Sequence, residues 1–355
     1  MTTPTVADVN GMRLAHGALP GAAVPYHLAS GEGLRFETAG QLWTVIARTQ
    51  DTGGAFDAAY VTGPRGAESP LHAVPDVHRT FAVLNGQIRI WLGDRSRVLG
   101  RGDSVQVPPG TPFGYRMLSE LSRMLMYSAP GGALDALLAS DAGTRSFIYS
   151  ARRGDDALIL PEGASREPLP AVPHADADDA AAWEDALPAG EEPYVLRGLE
   201  GDHRAWPDAV NSYVSRGRNT GGRYFAVHTL AAPQPYIIQH FHRLHTENFF
   251  CLSGRVWLWV NGEEVLLTEG DFVHAPAGTI HSFAIGAHHT RMLGILSSDV
   301  FEPFFDVTSE HTADRVYTEG LVNPSVIMGG IQGAPDLDLQ VVGPPPQGTA
   351  HSPQD

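Results

Sequence analysis

One fixed offset organises this chain. Thr52-Gly53-Gly54 recurs as Thr220-Gly221-Gly222, Leu84-Asn85-Gly86 as Leu252-Ser253-Gly254, Gly102-Asp103 as Gly270-Asp271 and Pro108-x-Gly110 as Pro276-x-Gly278, each pair 168 positions apart. Pro25-Tyr26 returns as Pro193-Tyr194 at the same spacing, and Gly31-Glu32-Gly33 returns in looser form as Gly198-Leu199-Glu200-Gly201. Turn residues kept in phase over so long a span mean two copies of one folding unit with no net insertion between them. The chain has 355 residues, enough for two domains of ordinary size.

Each copy reads as short strands divided by turns. In the second, Arg255-Val256-Trp257-Leu258-Trp259-Val260 is β-branched and aromatic, Asn261-Gly262 follows, and Glu264-Val265-Leu266-Leu267 resumes. Asn-Gly between two such runs predicts a tight hairpin, because both turn positions need positive φ. Many short strands, Gly/Pro turns and little helical periodicity predict an all-β chain of two tandem jelly-roll β-barrels, with short flanking helices near 133–138 and 300–305. The expected division is a first barrel at 20–140, a linker at 141–190, a second barrel at 191–312 and an extension at 313–355. The stretch 165–192 is rich in Ala, Asp, Glu and Pro and reads as solvated linker; the tail from Val342, with Pro344-Pro345-Pro346, reads as disordered.

Composition removes several functions. With 24 Lys+Arg against 40 Asp+Glu the formal charge is -16, a surface that repels phosphate backbones and anionic lipid, so neither nucleic acid nor membrane is an expected partner. Cys251 is the one cysteine, so no intrachain disulfide and no Cys-rich zinc site can form. No run approaches 18 apolar residues, and 1–12 lacks the basic and apolar regions of a secretory signal, so a cytoplasmic protein is expected.

The chemistry concentrates in the second copy, where eight of the 16 histidines fall between His228 and His289. His240 and His242 are two apart, so on a strand both imidazoles project from one face. Glu247 stands at an odd spacing from them and needs the intervening turn, 243–246, before it can face the same way. Glu247, Phe249 and Cys251 then share a strand face, as do His281, Phe283 and Ile285. Three imidazoles and a carboxylate suit Fe, Cu, Ni, Mn, Co or Zn and match Ca²⁺ poorly, so one divalent transition metal per chain, held by His240, His242, Glu247 and His281, is the expected cofactor. His245, in the turn, is expected to be exposed or to support a ligand from behind. His274 reads as structural, His288-His289 as a solvated loop and Cys251 as core.

His240-x-His242-x(4)-Glu247-x(6)-Gly254 resembles the first cupin motif except for its leading glycine, where Gln234 stands. Gly270-x(5)-Pro276-x-Gly278-x(2)-His281 resembles the second, with Ile285 in place of its closing Asn. The duplication, the run Glu247-Asn248-Phe249-Phe250 and the Pro-Tyr…Thr-Gly-Gly entry segments are similar to the bicupin quercetinases over roughly 20–135 and 190–312. That resemblance implies a small aromatic, flavonol-like substrate and O₂, a metal-dependent dioxygenase reaction ending in ring cleavage with release of carbon monoxide, Glu247 as the catalytic base, and Phe249, Phe283, Met292 and Leu296 as pocket walls. Burial near Phe249 is expected to lift the Glu247 pKa against the pull of the metal. A non-redox cupin enzyme (isomerase, cyclase or hydrolase) and a non-catalytic binding bicupin stay open as alternatives, as does assembly into a homodimer.

The first copy serves as an internal control. At the 168 offset His240 maps to His72, His242 to Val74, Glu247 to Arg79 and His281 to Phe113. A guanidinium stands where the carboxylate should be and repels a cation. His78, beside it, makes only an incomplete pair with His72. The expectation is a barrel without metal, its interior filled by Phe81, Phe113 and Tyr115.

Overall fold

The computed structural model describes residues 4–150, 157–170, 186–320 and 336–349. Asn261 and Gly262 adopt φ of 45° and 94°, the left-handed pair that a two-residue hairpin turn requires, and they join strand Val256–Val260 to strand Glu263–Leu267 in antiparallel register. In the first copy Ile88–Leu92 and Arg95–Leu99 form the equivalent hairpin. Strands built this way dominate. The described helices are short: Val6–Asn10, Asp135–Leu138 and Glu302–Thr308, the latter two where short helices were expected. None is long and apolar enough to cross a membrane.

The chain divides into two compact units. One contains residues 1–32, 200–217 and 221–355; the other contains 33–199 and 218–220. The first of these, here called the C-terminal barrel, is built from a nine-stranded and a five-stranded sheet. In the larger sheet Glu247–Ser253 lies between Phe272–Ala275 and Thr290–Ser297; in the smaller, His281–Ile285 lies between Val256–Val260 and Gln239–Phe241. Alternate residues of both sheets point inward, so Phe249, Cys251, Leu258, Val273, Ile285 and Met292 form one buried cluster. The N-terminal barrel has a seven-stranded and a four-stranded sheet.

The entry strands differ from the 20–140 and 191–312 division. Tyr26–Leu28 pairs with Phe272–Ala275, within the C-terminal barrel. Its repeat counterpart Tyr194–Leu196 pairs with Ser104–Val107, within the N-terminal barrel. Each copy's first strand thus completes the sheet of the unit that holds the other copy's later strands. The tail also differs. Gln340–Gly343 is a strand paired with Gln239–Phe241, and Gln239 Nε2 donates to the Pro344 carbonyl at 2.9 Å, so 342–349 is ordered rather than disordered. Residues 350–355, and most of 165–192, lie outside the described residues. Of that stretch, Glu167 bridges to Leu71 by backbone hydrogen bonds of 2.8 and 2.9 Å, so it packs against the barrel at this point.

Two motif glycines have a steric reason. At Gly254, φ is 83° and a Cβ would lie 2.4 Å from Thr290 Oγ1; at Gly278, φ is 94° and a Cβ would lie 2.6 Å from the Val6 carbonyl oxygen. The Gly278 amide donates to the His242 carbonyl at 2.7 Å, which ties the second motif to the first.

Candidate metal centre

His240 and His281 sit directly opposite each other on neighbouring antiparallel strands, with ring centroids 4.4 Å apart. His242, just beyond the end of its strand, places its ring 5.1 Å from His240 and 5.3 Å from His281. One nitrogen from each of the three can be chosen so that all lie within 4.8 Å of one another. Glu247 opens the strand of the other sheet, and the turn between brings its carboxylate to the same point. Its Oε2 is 3.0 Å from His281 Nε2 and its Oε1 3.4 Å from His242 Nε2. The three histidines are 1–6% exposed.

The hydrogen bonds set which nitrogen is available. His240 Nδ1 faces the Ile238 carbonyl at 3.0 Å, His242 Nδ1 the Asp338 carbonyl at 2.5 Å and His281 Nδ1 the Thr279 carbonyl at 2.9 Å. A carbonyl only accepts, so each Nδ1 carries the hydrogen and each Nε2 offers a lone pair. His242 Nε2 is buried without a hydrogen-bond partner. Lone pairs and carboxylate oxygens therefore converge with no donor between them, an arrangement that is costly unless a cation joins it. The residues present fit a divalent metal ion.

A cupin domain profile matches residues 59–128 and 227–295. Over 343 residues the chain is 32% identical to quercetin 2,3-dioxygenase of Bacillus subtilis (strain 168), spanning 92% of this chain and 98% of that one. The chain belongs to the quercetinase family of bicupins. This bicupin is also 30% identical over 146 residues to quercetin 2,3-dioxygenase of Aspergillus japonicus, 38% of this chain and 41% of that one. Oxalate decarboxylase from Bacillus subtilis, in its structure at pH 4.6, superposes with a TM-score of 0.52 at 15% identity over 77% of this chain and 76% of that one, a likeness of fold alone.

Electrostatics in the bicupin's C-terminal barrel differ from expectation at Glu247. Burial does push its pKa up, but the facing imidazoles, His242 foremost, outweigh burial whenever they carry a proton and then hold it well below the usual carboxylate range. His240 and His242 are held below their ordinary values, first by burial and then by neighbouring imidazoles, which keeps both in the neutral form that can ligate. His245 is not exposed, at 2%. Its Nδ1 donates to Asp338 Oδ2 at 2.8 Å and its Nε2 lies 3.8 Å from Glu247 Oε1. Burial works against its charge, yet the Asp338 hydrogen bond and the nearby Glu247 carboxylate win and raise its pKa.

Asp338 was missed in the sequence. Its carboxylate accepts from His245 and from the Arg243 and Leu244 amides at 2.9 Å each, while its carbonyl holds His242. Burial raises its pKa, but those donors bring it down to about 2. The available signal was the alternation Leu337-Asp338-Leu339-Gln340-Val341, a strand pattern hidden before a proline run. Phe301 closes this side, its ring stacked 4.8 Å from that of His245.

Phe249 and Met292 are in the barrel's buried cluster, Phe283 packs against it half-buried, and Leu296 pairs across the sheet with Glu247. The Phe249 ring lies 5.7 Å from His281 and 6.5 Å from Phe283. His274 is buried, with Nδ1 at 2.8 Å from Asn248 Oδ1; Cys251 is core; the His288 side chain is 63% exposed.

In the N-terminal barrel the backbone keeps the same registers. Phe113 pairs with His72, as His281 does with His240, and the Gly110 amide donates to the Val74 carbonyl at 2.9 Å. Arg79 Nη1 donates to His72 Nε2 at 2.6 Å, and Phe81 stacks on Phe113 at 4.5 Å with Tyr115 beside them.

Proposed function

We propose that this bicupin is a metal-dependent dioxygenase that cleaves a flavonol-like, enolisable aromatic compound with O₂, and that His240, His242, His281 and Glu247 hold one divalent transition metal ion per chain. The observation that carries the reading is the buried meeting of imidazole lone pairs with the Glu247 carboxylate, acceptor against acceptor at 3.0 and 3.4 Å. The identity with an enzyme named for quercetin supports the substrate class and the use of O₂.

When bound, the metal supplies Lewis acidity that makes an adjacent enol hydroxyl acidic enough for a weak base. Glu247 is ionised and takes that proton at Oε1, the oxygen it holds less closely to an imidazole. His245, its own proton retained by Asp338, keeps Glu247 oriented. Phe249, Phe283, Met292 and Leu296 wall the site with apolar surface that accepts a flat ring and excludes water. O₂ electrode measurements with metal-loaded protein and quercetin test the reading. Oxygen uptake matching flavonol loss is expected, and turnover that continues unchanged without oxygen would overturn it.

A further inference from the structure

Arg79 is 3% exposed, and among the described residues no carboxylate pairs with it. The nearby Glu191 carboxylate pairs instead with His78 at 3.2 Å. One guanidinium nitrogen, Nη1, is used on His72 Nε2; Nε and Nη2 are buried without partners. Those two N–H groups lie along one edge of the guanidinium, the edge that grips a carboxylate with two parallel hydrogen bonds. Arg79 lines a cavity of about 30 Å³ together with Trp43, Ser69, His72, Phe81, Tyr115 and the segment Leu158–Pro161. Trp43 lines the same cavity, and its Nε1 is a third buried donor without a partner. No lining residue is acidic, and the Tyr115 hydroxyl stays neutral, donating to Gln41 Oε1 at 2.5 Å.

We propose that the N-terminal barrel binds a small carboxylate anion, gripped by Arg79 Nε and Nη2 and by Trp43 Nε1. A buried guanidinium with an open fork needs a counter-ion. A cavity of this size takes about two or three waters' worth of ligand, which fits a carboxylate of formate dimensions and not a flavonol. Burial draws the Arg79 pKa down to about 9, which leaves it a cation at neutral pH. His72 accepts from it and, held down to about 4 by burial and by Arg79 itself, adds no competing charge.

Calorimetric titration of the metal-loaded full chain with sodium formate tests this, with sodium sulfate at equal ionic strength as control. One saturable formate site per chain is expected, at least roughly tenfold weaker in Arg79→Met, severalfold weaker in Trp43→Phe and unchanged in His281→Ala. No saturable binding, binding that survives Arg79→Met, or binding lost in His281→Ala would overturn it. Should Arg79→Met not fold, undiminished formate affinity in Trp43→Phe does so alone.

Discussion

Asp338→Ala separates the carboxylate of that residue from its backbone. The carbonyl that holds His242 Nδ1 remains, while the acceptor of three hydrogen bonds is removed. Arg243 and Leu244 are exposed, so their amides recover water at little cost. His245 is 2% exposed and cannot, so the dominant loss is one buried charge-assisted hydrogen bond, about 1.5–3 kcal/mol. Part of that loss reaches the metal through Glu247, whose Oε1 lies 3.8 Å from His245 Nε2. Outer partners of metal ligands are worth about 10–100-fold in affinity, and the same range is expected here. Competition against a chromophoric chelator, with Co²⁺ or Zn²⁺, measures it. Asp338→Asn, which keeps an acceptor oxygen, should fall between. An affinity for Asp338→Ala within about twofold of the parent, with the fold intact, would refute the coupling of the tail to the site.

Other outcomes follow from the same geometry. His242→Ala or His281→Ala should bring bound metal toward zero by elemental analysis, whereas His72→Ala should leave it at about one per chain, since among the described residues only the C-terminal barrel gathers such a donor set. Glu247→Gln should keep much of the metal and lower turnover by about 10²–10⁴-fold; full activity would remove the base role. Stability should fall with acid. His72 is held down to about 4 and His228 and His274 to about 3, each chiefly by burial, so the unfolded chain binds protons that the folded one refuses. Their contribution is intact above the unfolded value near 6.5 and is lost as pH falls toward 4 and 3, with about 3 kcal/mol at stake for His72 alone. Urea midpoints from pH 7.5 to 4.5 should drop accordingly, and His72→Gln should flatten the slope.

Much of the fold was legible because its signals are local. Asn261-Gly262 can only turn one way, and the parity of His240 and His242 on a strand decides their shared face before any tertiary contact is known. The turn 243–246 was also required by arithmetic, since Glu247 stands five positions beyond His242, an odd spacing. What the sequence hid is non-local. A repeat offset says that Tyr26–Leu28 and Tyr194–Leu196 are equivalent, but equivalence is unchanged whichever unit each strand enters. Asp338 stands 96 positions from His242, in a stretch with no repeat counterpart to calibrate it. The direction of the Glu247 shift was hidden for another reason: burial and neighbouring imidazoles push oppositely, and only distances decide which wins.

The two barrels differ in side chains over a conserved backbone, and that can be tested by reversal. His72 Nδ1 faces the Pro70 carbonyl at 2.9 Å, as His240 Nδ1 faces that of Ile238 at 3.0 Å, so the surviving histidine already presents Nε2 inward. Val74 and Phe113 hold the backbone bonds and registers of His242 and His281. The place that the proposed metal ion takes in one barrel is filled in the other by a covalently held cation, the Arg79 guanidinium on His72 Nε2. Val74→His, Arg79→Glu and Phe113→His together should therefore convert the N-terminal barrel and raise bound metal from about one to about two per chain. The stack of Phe81 on Phe113 is lost in that variant, so its thermal midpoint without metal should fall and recover on loading. A folded triple variant that still binds a single ion would mean that backbone register does not suffice, and that supports such as Asp338 and His245, which the N-terminal barrel lacks at these positions, are required to assemble the site.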